Sequence, residues 1–74
     1  MKKNEMKAKA ARYLKIVEWS EEDNCFIGRA PALQGCLTHA DTREQCSKNL
    51  QEAMELWLEI GEKYNDPLPK PDLR

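Results

Sequence analysis

PALQGCLTHADTREQC, residues 31–46, decides the reading of the whole chain. Pro31 ends any strand before it, because it has no amide to give to a ladder. Leu33, Cys36 and Thr38 form a strand-like series, and Gly35 marks a bend or a close approach of two backbones. Asp41 and Thr42 follow as two candidate N-caps. Asp41 has Glu44 three residues on and Thr42 has Gln45, so either can close a reciprocal cap over the orphan amides of a helix start. The stretch thus predicts a turn, a short strand over 35–39, a cap, and the first turn of a long helix.

That helix is predicted from about Thr42 to Lys63 or Tyr64. Cys46, Leu50, Ala53, Trp57, Ile60 and Tyr64 recur every three or four residues as one apolar stripe, with Lys48, Gln51, Glu52, Glu55, Glu59 and Glu62 opposite. In the second half Met54 and Leu58 widen the arc on one flank and Leu56 on the other, to roughly 200°. A helix lying on one sheet needs an arc of only about 100°. The excess predicts a second surface against the C-terminal half.

Upstream of the opening stretch, YLKIVEW (13–19) and CFIGRA (25–30) read as strands joined by the acidic turn SEEDN, a hairpin pattern. Tyr13, Val17 and Trp19 share one face of the first strand, Leu14 and Ile16 the other. Large apolar groups on both faces, with one helix to cover one of them, predict a homodimer or higher oligomer. Trp19, Met54, Leu56 and Leu58 are the candidate interface residues. Downstream, Pro67, Pro69 and Pro71 favour extended backbone, and Leu68 is a candidate short edge strand.

A chain of 74 residues is one domain that buries only roughly 60% of its unfolded surface. No apolar run approaches a membrane span, and the N-terminal lysines have no apolar segment behind them, so a cytoplasmic protein is expected. Residues 1–12 carry Lys2, Lys3, Lys7, Lys9 and Arg12 against Glu5, whereas 13–74 hold seven basic and twelve acidic residues, a net of −5. A basic arm, expected to be partly disordered, precedes an acidic body.

No reactive constellation emerges. Cys36 and His39 have a ligand-like spacing, and Cys25 and Cys46 could complete a zinc set, but no second close pair exists and no metal is expected. Offsets of three on a strand point to opposite faces, which separates Cys36 from His39 as a nucleophile–base pair. Asp41 and Glu44 suit the helix start better than a metal, and three scattered glycines make no phosphate loop. No enzyme and no cofactor are expected. The acidic groups Glu21, Glu22 and Asp23, with the row containing Glu55 and Glu59, suit a basic partner.

The order of elements resembles the HicB-like antitoxins of the HicA–HicB toxin–antitoxin systems. The features are a strand ending at Trp19, an acidic turn, a second strand, PALQGCLTHADT, one helix past Trp57, then PLPKP. The resemblance spans about Tyr13 to Pro71. It implies an α+β, partial RNase H-like fold with a three- or four-stranded antiparallel sheet and one main α-helix. The order is β-β-β-α, with a candidate short C-terminal strand. The chain then divides into the basic arm over 1–12 already read from its charge, a HicB-like antitoxin domain over 13–71 that the resemblance implies, and a tail over 72–74. The resemblance also implies a role: silencing a HicA-like toxin, a small mRNA-cleaving protein. For that role the acidic residues Glu21, Glu22, Asp23, Glu55 and Glu59 are the toxin-binding candidates by their charge, while Asp41 and Thr42 stay candidate helix caps. Many relatives continue into a DNA-binding segment, and this chain has no room for one before Arg74, which speaks against direct DNA binding. The rival expectations are an orphan homo-oligomeric binding module and a nucleic-acid binder using the basic arm.

Overall fold

A computed structural model of the chain describes residues 2–71. The elements are α1 (Lys2–Ala10), β1 (Ile16–Ser20), β2 (Cys25–Arg29), β3 (Leu37–Ala40) and α2 (Arg43–Lys63). The three strands form one antiparallel sheet in the order β1-β2-β3. This is the expected α+β, β-β-β-α arrangement, with a helix added in front.

The register decides which face meets α2. Val17 pairs with Gly28 and Gly28 with Thr38, while Trp19 pairs with Phe26 and Phe26 with Ala40, so these residues share one side. A Cβ on Gly28 would lie 3.0 Å from Cys46 Sγ, 3.1 Å from Thr38 Cγ2 and 3.4 Å from Leu50 Cβ. Gly28 therefore lets the helix sit directly on the central strand. Ile16, Glu18, Ile27, Arg29, Leu37 and His39 line the opposite side.

The third strand begins at Leu37 and not at residue 35. Leu33 and Cys36 are buried but belong to a turn, with Leu33 N–H donating to Ala30 O at 3.0 Å and Cys36 N–H to Leu33 O at 2.9 Å. Gly35 has φ +82° with open space where a Cβ would stand, so it serves the bend and no close approach. Thr42 resolves the cap. It is extended (φ −123°, ψ 153°) and its hydroxyl accepts from Gln45 N–H at 3.1 Å. Asp41 is exposed and does not cap, and the Gln45 side-chain amide donates to Asn49 instead. The helix closes through Asn65, in the left-handed region at φ +58°, with Asp66 N–H donating to Gly61 O.

The arm is the largest correction. Residues 2–10 are helical, with Met6 and Ala10 buried in the same cluster as Met54 and Leu58. Met6, Ala10 and Tyr13 repeat at offsets of four and three, enough to seat a short helix on α2. Tyr13 is drawn into this core and its hydroxyl donates to Pro69 O at 2.5 Å, so β1 starts three residues later than its apolar pattern suggests. No strand forms at Leu68. The prolines around it lack donors, and its side chain packs on Gly61. The proposed tail over 72–74 lies outside the described residues.

Candidate functional site

The buried line of α2 is Cys46, Leu50, Met54, Leu58 and Gly61. It coincides with the expected stripe at Cys46 and Leu50 and then turns away from it, leaving Ile60 and Tyr64 exposed. Met54 and Leu58 are fully buried inside the protomer. As oligomer-interface candidates they are corrected: the second surface their arc required is α1, supplied by the same chain. Trp19 (44% exposed) and Leu56 (57% exposed) remain open, joined by Leu37 at 64%, which the sequence reading did not single out.

At the hairpin end of the sheet, β1 and β2 are joined by residues 21–24, with Asn24 in the left-handed region. Ser20 Oγ lies 3.2 Å from both Asp23 N and Asp23 Oδ2, pinning the turn. Glu21 accepts from the Trp19 indole N–H at 3.0 Å. Trp19 in turn packs edge-on to Phe26, ring centres 5.1 Å apart, and the Arg43 guanidinium lies over the Phe26 ring at 5.0 Å while donating to Val17 O. The acidic turn and the exposed tryptophan, separate features in the sequence, thus form one surface held by side-chain contacts.

The acidic row on α2 is different. Glu55 accepts from the Gln51 side-chain amide at 2.9 Å, and Glu62 is ion-paired with Lys9 of α1. Lys7 and Lys15 share with Glu44, Glu52 and Glu55 a groove of about 530 Å³, and Glu59 lines a hollow beside Met6. The sequence reading takes Lys7 and Lys9 only as part of a basic arm and passes over Met6 and Ala10 as core residues. Their signal was the Met6–Ala10–Tyr13 spacing, hidden under a strongly basic composition.

The thiols are inert by environment. Cys25, Cys36 and Cys46 are all buried and unlinked. Burial pushes the Cys36 thiol up, and burial together with the neighbouring Cys25 does the same to Cys46, so both stay protonated at neutral pH. His39 is exposed on β3 while Cys36 is buried in the preceding turn. Among the described residues no cluster of three His, Cys, Asp or Glu is placed to hold a metal ion, and no helix is long and apolar enough to cross a membrane.

Comparison with known proteins gives one consistent result. Residues 8–69 match a family described as UPF0150-like. A UPF0150 protein of Thermoplasma acidophilum is 29% identical over 55 residues, covering 74% of this chain and 80% of that one. Two UPF0150 proteins of Synechocystis are 39% identical over 54 residues and 38% over 53, covering 73% and 72% of this chain and 74% and 67% of theirs. No solved structure matches the chain.

Proposed function

The chain belongs to the UPF0150-like family, and from that premise we propose that it is a cytosolic antitoxin, a binding protein and no enzyme, which captures a basic HicA-type mRNA-cleaving toxin and covers its RNA-binding surface. The observation that carries this reading is the hairpin-end surface. A Trp19 ring packed on Phe26 but still 44% exposed is held by Glu21 and followed in the turn by Glu22 and Asp23. A tryptophan anchor with an acidic rim is the chemistry that fits a basic protein: the ring contributes affinity, the carboxylates steer encounter. The rival use of the N-terminal lysines on nucleic acid is disfavoured by Lys9, whose ammonium is engaged with Glu62.

Self-association belongs to the same reading. Leu56, Ile60 and Tyr64 lie exposed on one flank of α2, and Leu37 lies exposed on the uncovered side of the sheet.

The test is co-expression with the product of the neighbouring reading frame, followed by light scattering of the purified mixture. Relief of growth arrest and a stable complex are expected, with a free antitoxin heavier than a monomer. Glu21→Lys with Glu22→Lys should weaken capture most at low salt. Undiminished capture by that variant would remove the hairpin end from the interface, and a monomer indifferent to the toxin would end the proposal.

A further inference from the structure

The first helix is basic, and the flank of α2 beside it carries Glu52, Glu55, Glu59 and Glu62 between Lys48 and Lys63. Lys9 pairs with Glu62, Lys7 shares a groove with Glu52 and Glu55, and Met6 lies beside Glu59 and Glu62. Met6 is itself 2% exposed, buried with Met54 and Leu58. One long flexible anchor among lysines, seated on two apolar side chains among glutamates, is the pattern of a helix recognised in a groove, here satisfied within one chain. Two further observations bear on α1. The family match covers residues 8–69, so its start falls within the helix and leaves Met6 and Lys7 outside the matched residues. A helix of nine residues also does not hold its shape in water alone, so its order depends on being docked.

We propose that α1 is the resident occupant of a helix-docking surface on α2, formed by Met54, Leu58, Glu55, Glu59 and Glu62, and that a partner helix rich in lysine or arginine with one long apolar anchor binds there by displacing it. The identity of the natural partner rests on the toxin-capture reading; the existence of the surface does not. While α1 is docked the surface is closed, so a competitor's apparent affinity falls by the fraction of chains in which it is open.

Hydrogen exchange on the unmodified chain is the first test. The amides of Met6–Ala10 should exchange at least about tenfold faster than those of Leu50–Leu58, as a locally opening segment does. Equal rates would mean that α1 opens only with the whole fold, and would overturn the proposal.

The second test uses the full chain with Met6→Glu and Lys9→Glu, which sets two carboxylates against the apolar pair and Glu62. The probe is an acetylated peptide of residues 2–13. The variant should bind the peptide at least about tenfold more tightly than the unmodified chain, with NMR shifts confined to α2 near residues 54–62. A peptide carrying Met6→Glu should not bind. A variant that melts cooperatively yet ignores the peptide would overturn the proposal, and so would a variant that no longer folds, since α1 would then be fixed core. If the peptide binds but the neighbouring-frame toxin is captured equally by both chains, the docking surface stands and only the toxin is rejected as its occupant.

Discussion

Replacing Gly28 by alanine tests the contact on which the helix–sheet distance depends. The new methyl carbon would stand 3.0 Å from Cys46 Sγ and 3.1 Å from Thr38 Cγ2. Neither neighbour is a free end, because Cys46 is fully buried on α2 and Thr38 belongs to the paired strand. Overpacking of this kind costs about 1–3 kcal/mol. Removing a strand glycine returns about 0.5–1 kcal/mol of backbone entropy. The net loss is about 0–2.5 kcal/mol, which for a domain of this size lowers the melting temperature by up to about 20 °C. Thermal unfolding followed by circular dichroism reads it directly. The cause is identified by a cycle with Cys46→Ala, which removes the sulfur: Gly28→Ala should be better tolerated in that background, with a coupling of about 1 kcal/mol. A Gly28→Ala protein that melts higher than the parent, or a penalty unchanged by removing the sulfur, would refute the account of why α2 sits so close to β2.

Two further outcomes follow from the cap and the thiols. Thr42→Ala should cost about 1 kcal/mol in urea unfolding and Asp41→Ala less than about 0.5, because only Thr42 accepts from Gln45 N–H. Equal losses would return the cap to Asp41. The folded chain keeps the Cys36 and Cys46 protons to higher pH than the unfolded chain does. Their stabilisation is therefore complete below the ordinary thiol value near 9 and is lost as pH rises through and beyond it. The urea midpoint should fall between about pH 8 and pH 10, and fall less in a Cys36→Ala, Cys46→Ala chain. An identical fall in both proteins would clear the thiols of any part in it.

The strands, the turns and the ends of α2 were legible because each is written locally. Pro31, Gly35, Thr42 and the alternation in 25–29 name their own conformations, and the structure moves their boundaries by one to three residues. The orientation of α2 was legible only in part. An arc of apolar residues as wide as that over 53–64 has no single centre, and what selects Met54 and Leu58 over Ile60 and Tyr64 is a neighbour remote in sequence. That neighbour, α1, was obscured because its lysines dominate the composition while only Met6, Ala10 and Tyr13 carry the packing. The candidate surfaces divide in the same way. The carboxylates are visible as residues, but that Glu21 holds Trp19 while Glu62 is already engaged is a property of the folded chain.

The order in which the segments leave the ribosome gives the α1–α2 packing a kinetic meaning. Each strand pairs with its predecessor and the long helix lies back on the last two, so most of the assembly zips between neighbours in the chain and should be rapid. The N-terminal segment is the exception. It is made before its seat at Met54, Leu58 and Glu62 and before the Pro69 carbonyl that holds Tyr13. During synthesis it waits for that seat, so the docking of α1 on α2 comes after the strands between them have been made.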